Sequence, residues 1–312
     1  MLKVLWRYYR KNKQMNIVII GSKGFIGSHC SNYFKLQGHH VIGCDVVDSN
    51  EKNYFLINSL ENNFTKLFKN EQVDFCINAA GSANVSYSYE YPEKDFELNV
   101  SLVINILAAI KSHCLSCKFI NFSSAAVYGN PLQLPIKEDS ELRPLSPYGY
   151  HKMLSEKLLL EYHRFFNLKT CSLRVFSAYG PGLRKQLFWD IYQKTRLNTS
   201  INLFGTGEES RDFIYISDLV KAVDCIMAKA EFKGEAINIA SGDETSIFQV
   251  ANEFLNQLSI NQKLIFNGAE KSGDPKNWRA NISLLTNFGF KPKVSIYQGI
   301  KEYSLWLLNH QK

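Results

Sequence analysis

No stretch of this sequence stays apolar long enough to cross a bilayer or to act as a secretory leader. A cytoplasmic protein with no membrane span is therefore expected. There is no low-complexity tract and no repeat at a fixed period, which excludes solenoids, collagen-like rods and linker-like chains. Cys114 and Cys117 form a CxxC with no second pair to complete four zinc ligands, so no metal is expected. The cysteines number 7, an odd count, and several lie in apolar runs. That is the usage of reduced, buried thiols and not of a disulfide framework. What remains is 312 residues, 45% of them hydrophobic, enough for the core of one or two domains.

Acid is missing from residues 1–14, where Lys3, Arg7, Arg10, Lys11 and Lys13 stand together. They account for most of the net charge of +7 and leave the rest of the chain nearly balanced. A nucleic-acid partner is therefore not expected, whereas a phosphate-bearing small ligand suits the mildly positive body. The basic segment reads as an extension, or as a stretch ahead of the true start at Met15. Its Leu2, Leu5, Trp6, Tyr8 and Tyr9 would also suit weak contact with a membrane surface.

From Asn16 onward, apolar strand-like runs alternate with helical spacing. Asn16–Ile20, His40–Cys44, Tyr54–Ile57, Val73–Asn78, Lys118–Ser123 and Thr170–Phe176 read as strands. Gly24–Gln37, Phe96–Lys111 and Tyr148–Phe165 read as helices. This alternation predicts an α/β fold, a Rossmann-like doubly wound parallel sheet with helices on both faces. Ligands then sit beyond the C-terminal ends of the strands. Past Gly180 the pattern loosens, which predicts a smaller C-terminal substrate-binding domain. The expected division is 15–176 for the Rossmann domain, with a return segment near 213–240 that includes Ile237–Ile239, and 177–312 mainly for the smaller domain.

The first strand runs into Gly21-Ser22-Lys23-Gly24-Phe25-Ile26-Gly27, a GxxGxxG. Such a turn lets backbone N–H groups approach a pyrophosphate at a helix N-terminus. Gly27 lets the helix lie close on the strand. The next strand ends at Asp45, 18 residues beyond Gly27. An acid there accepts hydrogen bonds from the adenosine ribose and repels a 2′-phosphate. Val46 and Val47 supply no arginine to hold one, so NAD is expected in preference to NADP.

Tyr148-Gly149-Tyr150-His151-Lys152 has YxxxK spacing and follows the proline-rich Arg143–Pro147. On a helix, residues i and i+4 share a face. An ammonium beside a phenol favours the phenolate, which makes tyrosine usable as a base. The preceding strand ends in Ser123-Ser124-Ala125-Ala126-Val127-Tyr128-Gly129, so Ser124 can face the same cleft and bond a substrate oxygen.

With these motifs the chain resembles the extended short-chain dehydrogenase/reductases of the NAD-dependent epimerase/dehydratase type. It is most similar to the UDP-glucose/UDP-galactose 4-epimerase branch. The resemblance spans about residues 15–312. It rests also on Ile77-Asn78-Ala79-Ala80-Gly81, Asn99, Arg174–Gly182, Arg211–Asp218 and Ser272–Pro275. It implies a catalytic trio of Ser124, Tyr148 and Lys152. It implies cofactor contacts from Gly21, Lys23, Gly24, Phe25, Ile26, Gly27, Asp45, Asn58, Ser59, Ala79, Ala80, Gly81, Asn99, Tyr148, Lys152 and Phe176. It implies substrate contacts from Ser82, Ser124, Ser177, Phe204, Arg211 and Trp278, with Phe204 near the nucleobase and Arg211 on the diphosphate. Arg suits that task because its fork grips phosphate oxygens bidentately. A homodimer, formed through the helices that follow Asn99 and Tyr148, is usual among relatives, as are roles in polysaccharide precursor synthesis.

The sequence departs from the family pattern at four residues. Asn58 and Ser59 stand where relatives place an Asp. Ser177 replaces an Asn that commonly touches the sugar. Trp278 brings a bulky ring to the sugar pocket, which argues against N-acetylated sugars. Ala125 and Ala126 occupy the positions where dehydratases carry an Asp-Glu pair, and two methyl groups cannot transfer protons. The reading is therefore a nucleotide-sugar C4 epimerase with Tyr148 as base. The alternatives are a 4-keto-sugar-nucleotide reductase and a non-catalytic NAD-binding scaffold.

Overall fold

A computed structural model describes residues 14–57, 63–69, 72–197 and 200–310. The basic segment up to residue 13, and the adenine-side residues Asn58 and Ser59, lie outside the described residues.

The chain opens with β1 (Asn16–Ile20) and α1 (Phe25–Leu36), then β2 (His40–Asp45), β3 (Tyr54–Leu56), α2 (Thr65–Lys69) and β4 (Phe75–Asn78). α3 (Val85–Glu90) and α4 (Pro92–Phe96) lead through a π-turn (Glu97–Ser101) into α5 (Leu102–His113). β5 (Lys118–Ser124) follows, then a short 3₁₀ turn (Ala125–Val127), α6 (Pro147–Phe166) and β6 (Lys169–Val175).

These strands, with β10 introduced below, form one seven-stranded sheet in the order β10-β6-β5-β4-β1-β2-β3, all parallel. Ile17, Val18 and Ile19 of β1 have no exposed surface, as a strand covered on both faces requires. One apolar cluster lies on each side of the sheet. On one side Ile17, Ile19, Ile77 and Ile120 pack with Phe34 of α1 and with the C-terminal elements. On the other Val18, Cys76 and Phe119 pack with Ile106, Leu107 and Ile110 of α5. The chain winds outward from β1 to β3 and then returns to β4 on the other side of β1. The switch point therefore lies between the C-terminal ends of β1 and β4, where a crevice must open.

The second half adds β7 (Ser177–Tyr179), α7 (Gln186–Leu197), β8 (Ser200–Leu203), β9 (Ser210–Tyr215), α8 (Ile216–Lys229) and β10 (Lys233–Ile239). It ends with β11 (Glu244–Ser246), α9 (Ile247–Gln257), β12 (Lys263–Phe266), α10 (Ser283–Asn287) and α11 (Ile296–Asn309). β11, β9 and β7 make a three-stranded sheet, and β12 pairs with β8.

Two expectations need correction. Of the return segment near 213–240, residues 213–215 do not rejoin the large sheet. They pair with β7, with Ser177 opposite Phe213, and only β10 returns, beside β6. The single helix read over Phe96–Lys111 is interrupted by the π-turn. Apolar periodicity cannot signal one residue inserted into a turn. The helix read at Tyr148 starts at Pro147 behind Ser146, whose Oγ accepts from Gly149 N at 3.1 Å. That is the usual start signal of serine at the N-cap and proline at the first position.

Candidate active site

The crevice is built from three strand ends. After β1, Gly21 turns with φ +79°, and its N–H and that of Ser22 donate to Cys44 O of β2 at 2.8 and 3.2 Å. Ala79 N, after β4, donates to Ile20 O at 2.8 Å. A Cβ on Gly21 would stand 2.5 Å from Ala80 N, and a Cβ on Gly27 would overlap Gly21 O. Both positions therefore exclude a side chain, the first by conformation and contact, the second by close approach of α1. Gly24 is exposed, and the only heavy atom near a Cβ there would be Gly21 O at 3.2 Å. The N-terminus of α1 thus presents bare backbone to the crevice. That shape and its partial positive charge suit an anion.

Asp45 closes the far side. Its Oδ2 accepts from Lys23 N at 2.8 Å, and its Oδ1 accepts from Val46 N at 2.8 Å. These bonds lock the carboxylate at the end of β2. The Lys23 side chain turns away to Glu51, which also holds Lys35, and lies over the Tyr54 ring. Phe25 packs edge-on to His29, and Phe25 and Ile26 pack against the core.

The catalytic candidates converge at the C-terminal end of β5. Tyr148 and Lys152 lie on α6, are both 7% exposed, and place Lys152 Nζ 5.8 Å from the Tyr148 ring centre. Nζ donates to Phe122 O at 3.0 Å, which holds the ammonium against the sheet. Burial pushes the Tyr148 phenol up to about 12, against a hydrogen bond from Ser124 that lowers it. Burial brings Lys152 down to about 8, with Asp95 opposing and Lys185 assisting that fall. Ser124 also accepts from Ala126 N at 3.1 Å, so it is fixed as β5 ends. The structure thus brings Ser124, Tyr148 and Lys152 to one place.

Asn99 lies in the π-turn with 1% exposure, and among the described residues neither its amide nitrogen nor its oxygen has a hydrogen-bond partner. Gly81 marks its neighbourhood: a Cβ there would meet Asn99 Oδ1 at 2.8 Å and Lys152 Nζ at 3.5 Å. A fully buried amide without partners is costly and calls for a ligand. Ala79 and Ala80, which lead into Gly81, are half-buried, as is Ser82 after it.

Of the remaining candidates, Arg211 spans the second lobe. Its Nη1 donates to Ser210 O at 2.8 Å and Lys276 O at 3.1 Å, and its guanidinium lies 5.6 Å over the Trp278 ring. Burial lowers its pKa. Its neighbour Asp212 is occupied elsewhere, by Ser241, Gly242 and Ala280. Trp278 is 8% exposed, donates Nε1–H to Gly129 O at 3.0 Å and packs edge-on to Phe176. Both rings sit in a small core with Tyr128 and Ala240. Phe204 is 55% exposed and Ser177 is half-buried.

The family model described as "NAD dependent epimerase/dehydratase family" matches residues 17–240. The chain belongs to this family. Among relatives, an uncharacterized UDP-glucose epimerase of Bacillus subtilis is 30% identical, with 92% of this chain and 96% of that one aligned. A putative UDP-glucose 4-epimerase of Methanocaldococcus jannaschii is 28% identical, over 95% and 99%. Among solved structures, a mutant UDP-glucuronic acid 4-epimerase of Bacillus cereus, in complex with UDP-4-deoxy-4-fluoro-glucuronic acid and NAD, superposes with TM-score 0.85. It is 26% identical and the match covers 95% of this chain and 99% of that one.

This member of the epimerase/dehydratase family is thus an NAD-dependent enzyme, and the crevice fits that cofactor. Bare backbone at Gly24 suits a pyrophosphate, the fixed carboxylate of Asp45 suits ribose hydroxyls, and the Asn99 amide, without a partner among the described residues, lies beside Gly81. Sequence reasoning missed three groups here. Buried Asp95 and half-buried His151 meet at 2.7 Å, and Lys185 is reached by solvent while surrounding protein lowers its pKa. His151 was in plain view inside YGYHK, but nothing local says what it faces.

Proposed function

We propose that this enzyme is a nucleotide-sugar C4 epimerase with Tyr148 as its acid/base group. The observation that carries the reading is the convergence of Tyr148, Lys152 and Ser124 next to Ala125 and Ala126. Proton transfer at one oxygen is provided for, and removal of water from the sugar is not. The relatives named as UDP-sugar 4-epimerases support the same choice.

Gly21, Gly24, Asp45, Asn99 and Lys152 would hold NAD; Lys23, Phe25 and Ile26 would contribute backbone. The chemistry that bound NAD would supply is reversible hydride transfer at sugar C4. The residues do the rest. Ser124 holds the sugar O4 against the Tyr148 phenol. The Lys152 ammonium and the positive nicotinamide favour the phenolate, offsetting the burial that otherwise holds Tyr148 near 12. Tyr148 removes the O4 proton and later restores it. Arg211 grips the diphosphate from the second lobe, Phe204 covers the base, and Ser82, Ser177 and Trp278 shape the sugar pocket.

The large sheet is then the cofactor unit and the lobe after Phe176 mainly the substrate unit. Phe96, Leu98 and Ile104 near α4 and α5, with Tyr150 and Phe165 on α6, expose apolar surface that a second copy would cover in a homodimer. Among the described residues no helix is long and apolar enough to cross a membrane. The seven free thiols support a reducing, cytoplasmic setting.

The test is to incubate the NAD-loaded protein with a panel of UDP-hexoses and no added reductant. C4 inversion is expected, and Tyr148→Phe should lower it by about a thousandfold or more while NAD stays bound. An active Tyr148→Phe enzyme removes the assigned base; turnover confined to 4-keto sugars with added NADPH makes the enzyme a reductase.

A further inference from the structure

Four residues before the orphaned Asn99 amide, α4 carries Asp95, a carboxylate with no exposed surface. Its Oδ2 meets His151 Nδ1 at 2.7 Å, and its Oδ1 has no hydrogen-bond partner among the described residues. The Phe96 ring packs edge-on against His151 at 5.4 Å and 89°. His151 is the residue before Lys152 and three after Tyr148, so the bond ties the working turn of α6 to α4. A buried carboxylate with one oxygen unsatisfied is costly unless its charge is used.

We propose that Asp95 is the buried counter-anion of the Tyr148–Lys152 cleft and that His151 is the clamp that holds it there. Both are positioning residues; neither touches the substrate. The inference rests on the reading of Tyr148 as acid/base group.

The charges facing the cleft support this. Lys152 feels Asp95 from α4, Glu156 from its own helix and Lys185 from the segment before α7. Glu156 is already matched by Arg174, with Nη2 at 2.7 Å from Oε2, so its field is largely cancelled. Lys185 pushes the other way. Asp95 is the anion left to keep Lys152 protonated in a buried site that also receives a cationic nicotinamide. It acts on Tyr148 as well, where Ser124 is the other polar neighbour, and disfavours the phenolate. The remaining charged residues of α4, Glu93 and Lys94, are exposed.

The sign follows. Removing the anion lowers the pKa of both Tyr148 and Lys152, so the rising and falling limbs of the turnover–pH profile move together to lower pH. In full-length, NAD-loaded protein, Asp95→Asn should shift both limbs down by about one unit. The ultraviolet tyrosinate signal of Tyr148, isolated as the difference from Tyr148→Phe, should appear at correspondingly lower pH. His151→Ala breaks the same bond but keeps the carboxylate; it should lower Tm and kcat without moving the limbs down. Should Asp95→Asn not fold, the double variant Asp95→Asn/His151→Gln pairs two amides and carries the same test. A tyrosinate signal and profile unmoved in the Asn variants would overturn the proposal, as would an equal downward shift in His151→Ala. Either result with an inactive Tyr148→Phe sinks only the dyad, whereas an active Tyr148→Phe sinks the underlying reading.

Discussion

The two halves of the cleft are held together in different ways. On the sheet side, each candidate residue is placed by the strand it follows. Gly21 turns because β1 ends there, Asp45 stands at the end of β2, and Ser124 at the end of β5. On the lobe side, residues are placed by partners far along the chain. Trp278 is fixed by Gly129, Lys276 N by Asn130 Oδ1 at 2.7 Å, and Asn281 N by Ile136 O at 2.8 Å. One side is a local construction repeated strand by strand. The other is a set of long-range bonds between the loop after β5 and the segment before α10.

The largest effect should separate the two. Gly21→Val puts a branched side chain at φ +79° and into the backbone at Ala79 and Ala80. The expected cost is about 3 kcal/mol, with NAD binding lost. Thermal unfolding and cofactor titration check it. A valine variant that still binds NAD would mean the turn is less fixed than its contacts require.

A middle-sized effect belongs to the lobe. Trp278→Phe keeps a ring in the small core but leaves Gly129 O without its donor and a gap beside Phe176. The expected cost is about 2 kcal/mol, with KM for the nucleotide sugar raised and NAD affinity unchanged. Loss of NAD binding in this variant would show that the lobe and the sheet side are not separable.

This contrast also explains how much could be read before the structure. The seven strand positions, the glycine turn and the YxxxK helix are local patterns, and they appear where the periodicity puts them. The π-turn at Glu97–Ser101 was invisible because one added residue leaves the apolar spacing nearly unchanged. The fate of 213–215 was invisible for another reason. Only its Phe213-Ile214-Tyr215 end is as apolar as a large-sheet strand, and pairing with β7 is what tells them apart. Asp95 and His151 are 56 residues apart, and neither lies in a motif that names the other. Trp278 was placed in the sugar pocket by resemblance. Its ring is largely buried and carries the Arg211 guanidinium over its face, a contact between residues 67 positions apart that no local pattern announces.

The smallest predicted effect tests that last link. Arg211 is held by two carbonyls, Ser210 O and Lys276 O, and stacked on Trp278, which leaves the rest of its planar fork for phosphate oxygens. Lysine would keep the charge but lose the fork and the stacking. Arg211→Lys should therefore raise KM for a UDP-sugar about tenfold, roughly 1.4 kcal/mol, with kcat little changed. Uridine diphosphate should weaken as an inhibitor by the same factor, since the lost contact is to the diphosphate and not to the sugar. NAD affinity should stay where it is, because the bare backbone proposed to hold the cofactor's pyrophosphate, at Gly24, lies on the sheet side. If KM rises for the sugar while uridine diphosphate binds as before, Arg211 reads the sugar and not the phosphates.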